Sequence, residues 1–278
     1  MSKIFCNLSE PGLLAAVERN FAEEMACFGR NLPGAILHQD DELTWFITGP
    51  TGPNGVLLTC FERREASYID ARIEEMLAHF RSHQVLDPGW RVGPTTQPAD
   101  LGTYLERHGM VHRASMSCMI LDIASARNVT ATPSGLEIRE VQTLEELQAK
   151  CEVEKIGFGA TEMMARYYYL TYKTSGFGAG KHWHHYVGRQ QGKAVAVAAV
   201  LLHQGVAGIY GVATLPQVRR QGIATAMMQH VIGAIGQLGY AIATLSPSDM
   251  SEAIYRRLGF ENYCQLHHYR ISSPEEHR

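Results

Sequence analysis

The chain has 278 residues, 45% of them hydrophobic and 19% charged, with a formal net charge of −3. That balance excludes a disordered chain and supplies no basic field that would make nucleic acid a default partner. The longest uninterrupted apolar run, 194–202, is far shorter than the ~20 residues a membrane-spanning helix needs, so no membrane partner is expected. The opening Met1-Ser-Lys-Ile-Phe-Cys6 does not read as a secretory signal, and the six cysteines are scattered with no Cys-x-x-Cys pair. Reduced, mostly buried thiols in a cytoplasmic protein are expected. The length favours two domains.

In chain order, the first predicted strand is Val56–Cys60. A helix follows, because Ile69, Ile73, Leu77 and Phe80 recur at spacings of three and four. A short strand at Trp90–Val92 leads to the turn-rich Gly93–Pro98, then to a short helix ending at Gly109 and a strand around Met116–Leu121. The small, polar stretch Ala124–Gly135 reads as a linker, which sets the expected domains at 1–127 and 136–278 with 128–135 between them.

Beyond it, Leu136–Val141 reads as a strand, and Leu144–Ile156 and Glu162–Tyr172 read as helices. Trp183–Gly188 and Ala194–His203 form a hairpin around Gln190-Gln-Gly192. The strand Ile209–Thr214 precedes a long helix carrying Ile223, Met227, Val231, Ile235 and Leu238. A strand at Tyr240–Leu245, a turn at Ser246–Asp249, a short helix ending Tyr255-Arg-Arg-Leu-Gly259-Phe260 and a strand at Asn262–Arg270 complete the chain. The second half thus repeats the order of the first: strand, long helix, strand, turn, Gly-ended short helix, strand.

The chemically informative segment is the loop between the Ile209–Thr214 strand and the long helix. Pro216 stops the strand, and Arg219, Arg220, Gln221 and Gly222 open the helix. Gly222 and Ala224 keep the backbone accessible, the first helical amides lack intrahelical partners, and two arginines add positive charge. That combination suits a phosphate or pyrophosphate.

This region resembles the GNAT superfamily of acyl-CoA-dependent N-acyltransferases. Arg219-Arg-Gln-Gly222-Ile-Ala224 fits the family's Arg/Gln-x-x-Gly-x-Gly/Ala loop, and Tyr255-Arg-Arg-Leu-Gly259-Phe260 fits its later Tyr-x-x-x-Gly-Phe. The resemblance implies an α/β (α+β) fold of two tandem GNAT-like domains, each a mixed, mostly antiparallel sheet flanked by helices. It implies an acetyltransferase that takes acetyl-CoA as cosubstrate, uses no metal, and acetylates a small-molecule amine as a monomer or homodimer. By resemblance, the backbone of Val212 and Thr214 would pair with the pantetheine arm, and the N–H of Val212 or Ala213 would polarise the thioester carbonyl. The amides of Arg219, Arg220, Gln221, Gly222, Ile223, Ala224 and Thr225 would hold the pyrophosphate. Tyr255 would serve as general acid for the leaving thiolate. Where the family often has Asn, seven residues earlier, this chain has Ser248. The corresponding opening in the first half, Glu62–Tyr68, has no glycine and carries Glu62 and Glu65, so a single, C-terminal CoA site is expected.

Two candidates stand for the base that frees the amine: Glu162, on a helix, and Tyr210, on the strand beside the cofactor. Each also reads as an ordinary surface or packing residue. His182 and His184 share a strand face, but no acidic or thiolate ligand accompanies them, so cleft border is preferred to metal. His267-His268 reads as a surface strand pair. Tyr167-Tyr-Tyr169 and Tyr172 read as core packing or as a wall of the acceptor pocket. The rival to an enzyme is a non-catalytic acyl-CoA-binding regulatory protein, and a longer acyl chain is a third possibility.

Overall fold

A computed structural model describes residues 3–128 and 133–271. The core of the expected linker, 129–132, lies outside the described residues.

Among the described residues the helices are α1 (Leu13–Asn31), α2 (Ala66–Ser82), α3 (Leu101–Arg107), α4 (Leu144–Phe158), α5 (Glu162–Ser175), α6 (Ile223–Gln237) and α7 (Glu252–Leu258). The strands are β1 (Ile36–Gln39), β2 (Leu43–Ile47), β3 (Gly55–Thr59), β4 (Gly89–Val92), β5 (Met110–Asp122), β6 (Leu136–Glu140), β7 (Trp183–Gln190), β8 (Lys193–His203), β9 (Val206–Thr214), β10 (Ile242–Leu245) and β11 (Glu261–Ile271). All predicted elements are present within a few residues, while α1, β1 and β2 were not foreseen.

The chain forms two compact units, and they do not follow the boundaries expected from the linker. One unit joins the segment up to Phe21 to Cys118–Tyr263, and the other joins Ala22–Ser117 to the segment from Cys264 on. The physical reason is an exchange of final strands. The end of β5 pairs antiparallel with β10 (Leu121 opposite Ala243), and the end of β11 pairs antiparallel with β4 (His268 opposite Arg91). Each half's last strand therefore completes the other half's sheet.

In the second-named unit, β1, β2 and β3 are antiparallel neighbours, β3 and β4 pair in parallel, and β11 closes the sheet. The apolar stripe of α2, namely Ile69, Ile73, Met76, Leu77 and Phe80, packs into one core with Val56, Trp90 and Val92. Burying side chains of this kind contributes about 1.5–3 kcal/mol each.

In the other unit the order is β5-β10-β9-β8-β7-β6. The central β8 is buried along 195–202, so both its faces are covered, as its unbroken Val/Ala/Leu run implies. One face of β7 meets α5 through Trp183 and His185 against Tyr172, and the other meets α6 through Tyr186 against His230. The cap of α4 is a complete capping box between Thr143 and Glu146, and Gly159 ends that helix in the left-handed region.

One residue of α1 ties this sheet together. Asn20 is fully buried, and its Nδ2 lies 3.1–3.2 Å from the carbonyls of Leu201, His203 and Val206, at the β8–β9 turn. Its Oδ1 accepts from the Tyr210 hydroxyl at 2.7 Å. Asn20→Ala strips these buried carbonyls and the Tyr210 hydroxyl of a partner, so it should lower stability by about 1–3 kcal/mol, read as a shift of the denaturant midpoint.

Candidate functional site

β9 is where the sheet opens. It is parallel to β10, but their register covers only Ala207 opposite Ala243 and Gly208 opposite Thr244. The remainder of β9, Ile209–Thr214, runs on without β10 beside it. On its other side β9 stays paired with β8, but irregularly. Val197 faces Ala213 and Ala199 faces Tyr210, so Gly211 and Val212 together face the single Ala198. This is a β-bulge built on a glycine with φ of +57°. It interrupts the ladder beside Val212, the residue expected to polarise a carbonyl.

Beyond β9, a short turn at Pro216–Val218 leads to Arg219 in extended conformation, Arg220 with φ of +62° and Gly222 with φ of +79°. Gly222 is the N-cap of α6. No side chain caps that helix end and no acidic residue lies in its first turn. A Cβ at Gly222 would meet only Pro133, at 3.7 Å, so the backbone there is open to an approaching group. Ile223 and Thr225 are buried, Ala224 is half-buried, and Arg220 and Gln221 are exposed. The helix dipole, the uncapped amides and Arg220 together favour an anion. The Arg219 side chain is spent on bracing: Nε donates to the Thr214 carbonyl at 3.1 Å and Nη2 to the Gly157 carbonyl at 2.8 Å. Thr214's carbonyl thus already has one partner, and Ala213 is buried where α4 passes, close to the Gly157 backbone.

Tyr255 lies on α7, which follows β10 at the end where β9 and β10 part. It is 5% exposed and its ring stands edge-on to Phe260, 5.9 Å between centroids. Burial raises its phenol above the ordinary range, and a hydrogen bond with Ser251 opposes that shift. Ser251 also binds Ser248, whose N–H donates to Ser251 Oγ at 3.0 Å. Ser248 therefore starts the turn into α7. The left-handed Gly259, φ +105°, closes α7 and returns the chain to β11.

Each of the two base candidates has a partner of its own. The Glu162 side chain is 86% exposed and paired with Lys155. The Tyr210 hydroxyl donates into Asn20. The histidines have their own partners: His182 Nδ1 donates to the Leu202 carbonyl and His184 Nδ1 to Glu140 Oε1. His267 shares a hydrogen bond with Ser115, and burial holds His268 down at about 4. Tyr172 is core packing against Trp183 and His185, while Tyr167, Tyr168 and Tyr169 are half-buried.

Sequence reasoning missed a buried polar group beside the bulge. Lys150 and Glu154, one turn apart on α4, are 0% and 5% exposed and form an ion pair at 2.6 Å. Lys150 Nζ also lies 4.3 Å from the centroid of the Tyr172 ring. A Cβ on Gly211 would overlap Glu154 Oε1. An i,i+4 Lys–Glu pair ordinarily reads as a solvated helix face, so only Gly211 inside a strand hinted at a close approach.

The corresponding loop in the other unit is arranged differently. Glu42 Oε1 accepts from the Glu62 N–H at 3.0 Å and from the Tyr68 hydroxyl at 2.8 Å, and Arg72 stands 3.3 Å away. The chain's own carboxylate thus takes the Glu62 amide of this loop.

Residues 181–262 match the family described as the acetyltransferase (GNAT) domain. This segment is similar to a GNAT domain. It contains β7 to α7 and therefore the opened strand, the glycine-capped helix and Tyr255. Solved structures similar to the whole chain include a GCN5-related N-acetyltransferase from Kribbella flavida, 19% identical with a TM-score of 0.68, covering 94% of this chain and 96% of that one. A tandem GNAT protein from the clavulanic acid biosynthesis pathway is 14% identical with a TM-score of 0.66, covering 91% and 94%. A GCN5-related N-acetyltransferase from Sphaerobacter thermophilus is 17% identical with a TM-score of 0.57, covering 93% and 90%. No curated protein matches the chain in sequence. These similarities show the fold, mixed α/β with mostly antiparallel strands, shared with a tandem GNAT protein. No helix among the described residues is long and apolar enough to cross a membrane.

The bulge gives a direct test of this geometry. Gly211→Ala places a methyl against Glu154 and forces a left-handed alanine, so it should destabilise the protein by about 2–4 kcal/mol. Gly233→Ala, in α6 with nothing within 4 Å of the added Cβ, is the control and should raise the denaturant midpoint slightly.

Proposed function

We propose that the chain is an N-acetyltransferase that moves an acetyl group from acetyl-CoA to the amine of a small acceptor by direct attack. The observation that carries this reading is the parting of β9 from β10, with a bulge at Gly211–Val212 and an uncapped, glycine-opened helix end just beyond it. Such an opening offers an extended arm a strand edge to run along and offers its phosphates a helix N-terminus.

In this reading the backbone of Val212 and Thr214 pairs with the pantetheine arm, and the N–H of Val212 or Ala213 donates to the thioester oxygen as charge develops there. A fixed donor of this kind needs no reorganisation during the reaction. The amides from Arg219 to Thr225, on Arg220's side of the loop, hold the pyrophosphate, while the Arg219 side chain keeps β9 and α4 in place. The amine nitrogen attacks the carbonyl carbon, the C–S bond breaks, and Tyr255 gives its proton to the departing thiolate. Burial favours the neutral phenol, which is the form that can donate. Holding both substrates at one strand edge supplies much of the remaining rate. In this reading the first half of the sequence adds no second acetyl-CoA site, because Glu42 already takes the Glu62 amide of its loop.

Two measurements check this reading. Calorimetric titration with acetyl-CoA should give one site per chain, and Gly222→Glu should weaken binding more than tenfold by bulk and like charge at the pyrophosphate. Two equal sites, or an affinity unchanged in folded Gly222→Glu, would place the cosubstrate elsewhere. Thiol release from acetyl-CoA with a panel of primary amines should separate an enzyme from a non-catalytic acyl-CoA binder. In that assay Tyr255→Phe should cut turnover by about 10²–10⁴-fold with little change in acetyl-CoA affinity. If Tyr255 only packs α7, the variant keeps its turnover and loses stability.

A further inference from the structure

We propose that Glu154 takes the proton from the acceptor's ammonium group before transfer, a role that rests on the N-acetyltransferase reading above. Glu154 Oε2 accepts from Lys150 Nζ at 2.6 Å, while Oε1 is turned to the backbone of Gly211. The carboxylate therefore meets β9 at the bulge, one residue before Val212. The bulge and its glycine make room for this group, since any side chain at residue 211 would fall on Oε1. A proton acceptor is needed within reach of the thioester, and this is the acidic side chain that the fold brings to the bulge.

Burial in an ion pair is a poor way to add stability, because desolvating two charges offsets most of their attraction. The pair instead sets a protonation state. Burial pushes the Glu154 carboxyl above the usual carboxylate range, and Lys150 works against that shift. The result is a carboxyl more basic than a surface glutamate, held against its lysine. The groups facing it are Lys150 and Cys151 from α4, with Tyr172 from α5 and His185 from β7 around Lys150. Burial keeps Cys151 a thiol, with its pKa up at about 12, and keeps His185 neutral. β9 contributes the Gly211 backbone. The side chain retains 7% exposure, which leaves a route for the proton.

The proton balance is simple. The acceptor ammonium gives one proton to Glu154, and the neutral amine forms the C–N bond as the C–S bond breaks. Tyr255 protonates the thiolate, the second proton leaving the new amide nitrogen returns to the Tyr255 oxygen, and Glu154 later releases its own proton to water.

The test is Glu154→Gln, which keeps the shape and a hydrogen bond to Lys150. With the primary amine that gives the fastest thiol release in the unaltered protein, kcat at pH 7 should fall about 100-fold or more. The residual rate should then rise about tenfold per pH unit toward the amine's own pKa, because only neutral amine can react. Acetyl-CoA affinity should stay within about twofold. If Glu154→Gln does not fold, Glu154→Asp retains the charge and withdraws it from Gly211, and kcat should fall while acetyl-CoA affinity holds. Unchanged kcat and pH profile in a folded variant would overturn the role of Glu154 while leaving the acetyltransferase reading intact. An unaltered protein that releases no thiol with any amine overturns that reading and this role with it. Infrared titration gives a readout without turnover: a carboxyl absent from Glu154→Gln should titrate above the surface-carboxylate range, and one that stays ionised below pH 4 would also overturn the proposal.

Discussion

β9 leaves β10 after Gly208, and the site depends on that parting. A strand in the middle of a sheet is normally paired on both sides, and its amides and carbonyls are then spent. Here the second half of β9 keeps only β8, and even that pairing slips at Gly211–Val212. Free backbone groups on an edge are ordinarily a liability. In this unit they sit beside an uncapped helix N-terminus, so one place can take both an extended arm and an anion.

The surrounding structure holds that opening at a fixed width. Asn20 pins the β8–β9 turn from below through three carbonyls and the Tyr210 hydroxyl. Arg219 ties the end of β9 to the end of α4 from above. Between these ties lie the bulge and the Lys150–Glu154 pair. The first tie uses a fully buried side chain and the second a half-buried one, both on buried or half-buried backbone carbonyls, an arrangement costly to break and therefore rigid. Rigidity suits a site whose chemistry relies on fixed backbone donors.

The two units open the helix after this loop differently. Both have a strand, a loop and a long helix in register. In one, the loop ends in Gly222 and no carboxylate reaches the helix end. In the other, Glu65 stands at the N-cap position without a side-chain capping bond, and Glu42 takes the loop amide of Glu62. An internal carboxylate at that amide satisfies it permanently, which is a stable solution for a structural domain and an obstacle for a phosphate.

Much of this was legible in the sequence because it is local. The 3.6-residue period of α2 and α6, the turn glycines at Gly109 and Gly259, and the loop from Arg219 to Ala224 each depend on neighbours a few residues away, where side-chain spacing and φ preference decide the outcome. The element order of the second half followed from the same signals. The domain boundary did not, because a linker's composition says nothing about which sheet a strand joins. β5 and β11 read as the last strands of their own halves, yet pairing across the sequence put the end of each in the other unit. The roles of Asn20, Lys150 and Glu154 were equally hidden. Alone, each is an ordinary polar residue on a helix, and only packing α1 and α4 onto β9 removes water and turns them into a brace and a buried ion pair. Sequence determined what each segment could become; burial, which is a property of all segments at once, decided which polar groups would be paired away from water.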